Sequence, residues 1–184
     1  MQTLLASRMH TIVELSPAAL ASSRQTMAGQ ATTPVGLAWL VWDETGLREL
    51  AFGGPPDQGV LPMVDVQGAV ARDDAKAQCL AKRAFSERSL DLPLVLCGTE
   101  FQCAVWRLLL QIGLGQTVSY GELAQRLGKP SASRAVGSAV GANRLGFVVP
   151  CHRVVRQDGM IGQFRWGSEL KRRLLEWELD RCHG

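Results

Sequence analysis

The sequence lacks the features of several large protein classes. No apolar run approaches the roughly 18 residues that a membrane-spanning helix needs. The first thirty residues hold a few basic groups but no apolar segment after them, so we expect no secretory signal. With 46% hydrophobic and 20% charged residues, the 184-residue chain has the composition of a folded globular protein. We therefore expect a cytoplasmic monomer with no membrane partner.

Signatures of metal binding are also scarce. The chain has five cysteines and three histidines, and no C-x-x-C pair occurs. A four-ligand zinc site thus has no sequence signature, and we predict no metal and no other cofactor. Most of the cysteines should be small buried side chains in a reducing compartment. A reactive cysteine would need an electropositive setting that stabilises its thiolate.

Basic charge is concentrated in the second half of the chain. Residues 1–98 carry 8 Lys and Arg against 10 Asp and Glu, whereas residues 99–184 carry 12 against 7. Between Leu123 and Ser168 there are seven basic residues and a single acidic one, Asp158. This segment is either a solvated basic face or a surface that binds a polyanion.

The hydrophobic pattern predicts an α+β fold with a boundary near residue 98. The first domain, residues 1–98, is expected to be a small α/β unit with antiparallel strands, and the second, residues 99–184, to be mainly helical. Weak periodicity predicts irregular structure over residues 1–34. Alternating apolar residues and turn signals predict strands at 35–42, 47–52 and 92–97, with turns at 43–46 and 53–56, and a helix at 69–88.

Capping signals predict three helices at the start of the second domain. Thr99 with Gln102, and Ser119 with Glu122, form two capping boxes. The first opens an apolar stripe that ends at Gly113, and the second opens a helix at 120–127. After Gly-Lys-Pro, a further helix follows at 132–141. Two short helices joined by a tight turn are typical of a helix-turn-helix, although any helical hairpin gives the same pattern.

The helix at 132–141 consists almost entirely of small side chains. Arg134 is its one long side chain, and Ala135, Gly137 and Ser138 are among the small ones. Small residues allow a helix backbone to approach its neighbour closely. That neighbour is either another helix or the minor groove of DNA.

The segment Pro150-Cys151-His152-Arg153 interrupts an apolar, strand-like run. Proline excludes a central position in a sheet, so the segment should be an edge or a loop. The neighbouring His152 and Arg153 would give Cys151 an electropositive setting. In an extended segment Cys151 and His152 point to opposite faces, so a water would have to link them unless the chain turns. On its own, a Cys-His pair is also found by chance.

The residues around this pair resemble the O6-alkylguanine-DNA alkyltransferase family over residues 98–179, and more weakly from residue 35. Several motifs stand in the family's order and spacing: Gly98-Thr99-Glu100-Phe101-Gln102, Trp106, Ser119-Tyr120, Gly128-Lys129-Pro130, Arg134-Ala135-Val136, Asn143, Pro150-Cys151-His152-Arg153, Gly159, Gly162 and the run from Lys171 to Glu178. Several motifs in register are far more specific than one short pattern.

The resemblance implies a single-turnover, irreversible transfer of an alkyl group from O6 of guanine, or O4 of thymine, to the protein's own cysteine. The partner would be double-stranded DNA bound through its minor groove, with the damaged base flipped out. Cys151 matches the nucleophile, and His152 matches a base that acts through water. Glu178 matches the acid that orients the histidine, and it shares a face of the predicted helix 169–179 with Leu174. Glu178 taken alone could equally form a surface ion pair.

Further positions match family residues of known role. Tyr120, the chain's only tyrosine, matches a proton donor to the leaving guanine, although it could simply pack on the core. Asn143 matches a residue that supports the turn beside the active site. Arg134 matches the residue that replaces the flipped base in the stack, and Ala135, Gly137, Ser138 and Tyr120 match DNA contacts. The substrate pocket is expected to include Val154, Phe164, Arg165 and Trp106.

The chain departs from the family pattern after Gly162. Phe164-Arg165-Trp166 stand where many members have a tyrosine followed by a small hydroxyl residue, so the pocket wall is expected to differ. Two other functions remain open at this point. One is a lesion-sensing DNA-binding module without chemistry, and the other is a cysteine hydrolase that uses Cys151 and His152.

Overall fold

The computed structural model describes residues 11–15, 26–53, 71–86 and 93–183. In these ranges, a six-stranded sheet precedes a mainly helical half, as the α+β prediction requires. The order of the strands across the sheet is β1-β6-β4-β3-β2-β5. The strands are β1 (Ile12–Leu15), β2 (Met27–Thr33), β3 (Gly36–Asp43), β4 (Gly46–Phe52), β5 (Ala71–Arg72) and β6 (Leu94–Cys97).

The centre of the sheet is an antiparallel meander of β2, β3 and β4. The predicted turn at 43–46 joins β3 to β4, where Oδ1 of Asp43 accepts hydrogen bonds from the backbone N–H and the hydroxyl of Thr45, at 2.8 and 2.6 Å. Gly46 ends the turn with φ of 144°, and a Cβ there would lie 2.3 Å from the carbonyl oxygen of Pro93. Glycine is therefore required at this position by both conformation and space.

The prediction of irregular structure over residues 1–34 was wrong for the part that the structure describes. Residues 12–15 form β1, which pairs in parallel with β6, and residues 27–33 form β2. β1 is short and obtains its hydrogen bonds from a strand distant in sequence, so local periodicity does not reveal it. Residues 1–10 and 16–25 lie outside the described ranges.

The helix expected at 69–88 is shorter than predicted. Helix α1 spans Asp74–Phe85, because the Asp73 side chain caps it by accepting a hydrogen bond from Lys76 N at 2.8 Å, and residues 71–72 form β5 instead. Its buried face, which includes Leu80 and Phe85, packs on the sheet. The rest of this prediction, at 69–70 and 87–88, and most of the turn at 53–56 lie outside the described residues.

The second half follows its predicted helices closely. Both capping boxes form, opening α2 (Glu100–Leu109) and α3 (Tyr120–Arg126). A 3-10 turn at Pro130–Ala132 leads into α4 (Ser133–Gly141), which packs on α2 and α3. Helix α5 (Ser168–His183) ends the described chain, and β7 (Val118–Ser119) pairs in parallel with β8 (Val154–Val155). No helix in the described parts is long and apolar enough to cross a bilayer.

The two halves share one hydrophobic core. Leu50 of β4 donates its N–H to Arg144 O at 3.0 Å and accepts from Gly146 N at 2.8 Å. The ring of Phe85 lies parallel to that of Phe147, with centroids 3.9 Å apart. Backbone pairing and aromatic stacking thus fix the segment before Cys151 against the N-terminal sheet. The predicted boundary at residue 98 stays a prediction.

Candidate active site

Cys151 lies in a buried 3-10 turn, Cys151–Arg153, directly after Pro150. The extended strand expected around these residues is interrupted here, and regular pairing resumes only at β8. Arg153 N donates to Pro150 O at 3.0 Å, which closes the turn. Because the backbone turns, the alternation of side chains expected from an extended strand does not apply. The side chain of Cys151 is 3% exposed and that of His152 is fully buried.

Asn143 connects the end of α4 to the cysteine. Its Nδ2 donates to Cys151 Sγ at 3.1 Å and to Val149 O at 2.9 Å, and its Oδ1 accepts from Leu145 N at 3.0 Å. The buried amide therefore holds both the turn that follows α4 and the sulfur atom. A hydrogen bond donated to sulfur favours the thiolate over the thiol.

The predicted electropositive setting does not lower the pKa of Cys151. Burial raises the pKa of this thiol to about 11, although the Asn143 hydrogen bond and the positive charges of Lys171 and Arg165 oppose the shift. His152 and Arg153, the cations expected to stabilise the thiolate, both face Glu178 instead. At neutral pH the cysteine is therefore a thiol, and its reaction as a nucleophile requires a base.

Glu178 of α5 bonds the two residues that follow the cysteine. Its Oε1 lies 2.8 Å from His152 Nε2 and accepts from Arg153 Nη2 at 2.7 Å, and its Oε2 accepts from Arg153 Nε at 2.9 Å. Burial alone would raise the pKa of Glu178, but these hydrogen bonds and charges hold it at about 2. Glu178 is therefore a carboxylate, and the neighbouring Glu176 is exposed and pairs with Arg172.

The carboxylate of Glu178 determines the tautomer of His152. Burial lowers the pKa of His152 despite the opposing influence of Glu178, so the ring is neutral at pH 7. Since a carboxylate only accepts hydrogen bonds, Nε2 carries the proton, and Nδ1 has a lone pair. Nδ1 is buried and makes no hydrogen bond to any residue in the described ranges. This is the state that a general base needs.

Two buried cations at this site have contacts that the sequence did not predict: Arg153 was expected to stabilise the Cys151 thiolate, and Lys171 was given no role of its own. Arg153 binds Glu178 and also donates Nη1–H to Ile112 O. Lys171 is fully buried on α5, and its Nζ donates to Val154 O at 2.6 Å and Ile161 O at 2.5 Å. Burial lowers the pKa of Lys171 to about 8. For Lys171 the only sequence signal was its place in a family motif, because a lysine is expected to be exposed to solvent.

A cavity of about 330 Å³ opens beside Cys151. The structure brings Phe164 and Arg165 to it, as expected of pocket residues, together with Tyr120 and Gly137. Trp106 and Val154 lie elsewhere: Trp106 donates Nε1–H to Ala139 O at 2.8 Å behind α4, and Val154 is fully buried in β8. The described residues that line the cavity are Tyr120, Gly137, Val140, Gly141, Cys151, Gln163, Phe164 and Arg165.

Tyr120 is half-buried at the edge of this cavity. Burial raises its pKa, and the neighbouring Cys151 adds to the shift, so the phenol keeps its proton at neutral pH. Its hydroxyl oxygen lies 3.9 Å from the position of a Cβ built on Gly162. A protonated phenol facing the same space as the sulfur can donate a hydrogen bond to a bound molecule.

The outer face of α4 is open to solvent. Arg134, Ala135 and Ser138 are exposed there, while Val136 and Ala139 point into the core. Gly137 lies between the exposed face and the cavity, where a Cβ would contact the ring of Tyr120 at 3.8 Å. Across the described residues, no cluster of three or more His, Cys, Asp or Glu side chains forms a potential metal site.

Comparison with known proteins gives three concordant matches. The family model "6-O-methylguanine DNA methyltransferase, DNA binding domain" matches residues 100–179. The methylated-DNA–protein-cysteine methyltransferase of Methanosarcina acetivorans is 37% identical over 146 residues, which is 79% of this chain and 94% of that protein. The crystal structure of Mycobacterium tuberculosis OGT in complex with DNA is similar, with a TM-score of 0.69 and 32% identity over 84% of this chain and 94% of that one.

Half of the chain also resembles part of a larger protein. The regulatory protein Ada of Salmonella typhimurium is 53% identical over 92 residues. This match covers 50% of the present chain but only 26% of Ada. The chain therefore spans about a quarter of the length of that relative.

Proposed function

The chain belongs to the methylated-DNA–protein-cysteine methyltransferase family, and on that premise we propose that it repairs DNA by transferring an alkyl group from O6-alkylguanine to Cys151. O4-alkylthymine would be a second substrate. The observation that carries the proposal is that a buried cysteine and a buried, oriented histidine stand next to each other in one turn, with the cysteine lining a cavity. The sulfur atom accepts from Asn143, and His152 is held by Glu178 with Nδ1 left as an acceptor.

The reaction begins with removal of the thiol proton. Because the pKa of Cys151 is about 11, a base must assist, and the neutral His152 takes the proton through a bridging water. Glu178 then stabilises the imidazolium that forms, and Asn143 and the positive charge of Lys171 stabilise the thiolate. The thiolate attacks the alkyl carbon as a soft nucleophile.

The guanine then leaves with the electron pair of the broken bond. Tyr120 donates its proton to the departing base, because its phenol faces the cavity and is protonated. The thioether on Cys151 has no leaving group that water could displace. Each molecule therefore acts once, which distinguishes this function from that of a hydrolase.

DNA is proposed to bind along the exposed face of α4, which would enter the minor groove as the second helix of a helix-turn-helix. Ala135, Gly137 and Ser138 let the backbone approach closely, and Arg134 fills the space that the flipped base leaves.

The decisive experiment uses duplex DNA with a labelled methyl group on O6 of guanine. Label should move to the protein and stop at about one group per chain, and peptide mapping should place it on Cys151. The Cys151→Ser protein should bind the same DNA but take up no label. Binding without transfer by the unmodified protein would favour a lesion sensor, and loss of the methyl group to solvent would favour a hydrolase.

The role of Arg134 is tested by changing the substrate. Extruding a base from a duplex costs a few kcal/mol, whereas a free base pays no such cost. Arg134→Ala should therefore slow single-turnover transfer from duplex O6-methylguanine by about tenfold and leave transfer from free O6-benzylguanine unchanged. At saturating protein the transfer rate does not depend on DNA affinity, so the loss of a phosphate contact by Arg134 would not slow it. Equal slowing on both substrates would contradict the role in base extrusion.

A further inference from the structure

Phe147 has a backbone conformation that residues other than glycine rarely adopt. Its φ of 64° lies in the left-handed region, and every other described residue with a positive φ is a glycine. A bulky side chain is disfavoured in this region, and such strain persists only where the surrounding structure fixes it. The Phe147 side chain is 1% exposed and lies in the segment that leads to Cys151. The fold therefore keeps a phenyl ring at this position despite an unfavourable backbone.

Three nearly parallel rings connect α1 to His152. The ring of Phe85, the last residue of α1, lies within 5° of the ring of Phe147, with centroids 3.9 Å apart. The ring of Phe147 lies in turn within 8° of the imidazole of His152, with centroids 5.7 Å apart. Trp177 of α5 meets both phenyl rings edge-on, at centroid distances of 5.3 and 5.6 Å. Side chains from both halves of the chain thus fix the orientation of the phenyl ring beside His152.

A phenyl ring distinguishes the two protonation states of a neighbouring imidazole. The face of the ring carries partial negative charge and attracts a cation within about 6 Å of its centre. His152 becomes a cation when it takes the proton of the Cys151 thiol, and its full burial limits the screening of this attraction by water. Phe147 therefore interacts more strongly with the imidazolium than with the neutral imidazole.

From this arrangement we propose that Phe147 is a positioning residue for alkyl transfer, which orients the imidazole of His152 and stabilises the imidazolium through the face of its ring. The inference rests on the proposed transfer to Cys151 with His152 as the base. The proton leaves the sulfur of Cys151, passes through the bridging water and ends on Nδ1 of His152. The positive charge that His152 gains then lies next to the ring of Phe147.

Several other influences act on the protonation of His152. Burial is the largest of them and lowers the pKa of this imidazole. Glu178 of α5, which is hydrogen-bonded to Nε2, raises the pKa, whereas the positive charges of Arg153 in the same turn and Lys171 on α5 lower it. All three charged side chains are retained when Phe147 is replaced. A change in the pH dependence of a Phe147 variant therefore reports either on the ring or on the entry of water.

The first test measures the pH dependence of single-turnover methyl transfer from O6-methylguanine in duplex DNA at saturating protein. In Phe147→Leu the imidazolium loses the aromatic face, so transfer at neutral pH should slow by about fivefold. The pKa of His152 should be lower still, so the decline in rate on the acidic side should move to lower pH. A site that is merely loosened would admit water, which raises this pKa and moves the decline to higher pH.

The second test keeps the shape of the side chain. Phe147 is replaced by phenylalanine that carries one, two or three fluorine atoms on the ring. Fluorine withdraws electron density from the face of the ring and changes its size little, so the attraction for a cation weakens while the packing is retained. Transfer at neutral pH should slow stepwise along this series. The series keeps the inference testable even where Phe147→Leu does not fold.

Phe52→Leu is the matched control. Phe52 is 3% exposed in the same hydrophobic core, and among the described residues its ring contacts are with Phe85 and Trp166. The substitution therefore removes a buried phenyl ring that does not face His152. It should leave the decline in rate at the same pH as in the unmodified protein.

Three outcomes would overturn the inference. These are a decline that stays in place or moves to higher pH in Phe147→Leu, an equal movement in Phe52→Leu, and a rate that does not depend on the number of fluorine atoms. Failure of the unmodified protein to accept a methyl group from O6-methylguanine would instead contradict the proposed function itself.

Discussion

Glu178 is the residue on which the polar network of the site depends. Its carboxylate balances the buried Arg153 and orients His152, and it also accepts from Gly115 N at 3.3 Å. Buried ion pairs are modest contributors when intact, but removal of one partner leaves an uncompensated charge. Glu178 is therefore expected to contribute both to the stability of the fold and to alkyl transfer.

Glu178→Gln should lower the free energy of unfolding by about 3 kcal/mol, because Arg153 stays charged in a buried place. Transfer should slow as well, because the imidazolium loses its counter-charge. Urea unfolding and single-turnover labelling measure the two effects. Glu176→Gln, two residues earlier on the exposed face of α5, is the control and should stay within about 0.5 kcal/mol. Similar losses in both variants would contradict the role of Glu178.

The pH dependence of transfer reports on His152. Burial lowers the pKa of this imidazole below its ordinary 6.5, so Nδ1 stays an acceptor until the solution is more acidic than that. Transfer should therefore hold its rate from pH 7.5 down to about 6.5 and fall only below it. In Glu178→Gln the fall should begin at still lower pH, because the carboxylate that raises this pKa is gone. A fall that begins above pH 6.5 would contradict the assignment of the base.

At the scale of elements, α4 contains a glycine that lowers the stability of the helix and leaves more room in the cavity beside Cys151. Gly137 lies in the interior of this helix, where glycine is about 1 kcal/mol less favourable than alanine. Gly137 also lines the cavity, and a methyl group there would reach van der Waals contact with Tyr120. The fold can thus accept the methyl group, while the cavity would become smaller.

Gly137→Ala should therefore raise the free energy of unfolding by about 0.5–1 kcal/mol and slow alkyl transfer from DNA. Thermal unfolding and single-turnover labelling measure the two quantities. Gly121→Ala in α3 is the control, since its Cβ would meet only Ser119 Oγ at 3.9 Å, outside the cavity. The control should gain stability without losing rate. Unchanged transfer in Gly137→Ala would show that access at this point does not limit the reaction.

The elements that sequence reasoning predicted well are those with local causes. Capping boxes at Thr99 and Ser119 determine the starts of α2 and α3, and the Asp43 turn determines the β3–β4 hairpin. β1, β2 and β5 were missed. β1 and β5 owe their pairing to strands that are distant in sequence, and β2 contains mostly small and polar residues, so its sequence gives little strand signal. The helix-turn-helix arrangement of α3 and α4 on DNA stays a prediction.

In the candidate active site, too, local sequence patterns predicted some features, whereas others depend on the whole fold. The family motif pointed to Cys151, His152 and Glu178, whose catalytic roles stay predictions, and helical spacing correctly put Glu178 on the buried face. The raised pKa of Cys151 was not predicted, because burial outweighs the neighbouring charges and depends on the whole fold. Trp106 and Val154 were expected in the pocket on the resemblance alone, but in the structure both side chains are buried in the hydrophobic core.

At the scale of the whole molecule, charge separates along the chain. The second half, residues 99–184, has five more basic than acidic residues, and the first half has two fewer. Affinity for undamaged duplex DNA should fall steeply with salt, because binding to phosphates releases counterions. Preference between sequences should be weak, since the minor groove carries a degenerate pattern. Titrations at several salt concentrations on two unrelated duplexes measure both, and salt-independent binding or a strong consensus site would contradict this prediction.

Because Leu50 pairs with the backbone of residues 144–146, the two halves of the chain are not expected to be exchangeable independently of each other in a chimeric protein. The family model covers only residues 100–179, so a crossover near residue 98 is a natural breakpoint for a chimeric protein. Such a chimera would separate the segment leading to Cys151 from the strand that pairs with it. A new N-terminal half must therefore bring a β4 of matching register and a ring to stack on Phe147. Chimeras that exchange β4 and residues 144–147 together should keep their activity more often than those that exchange either one alone.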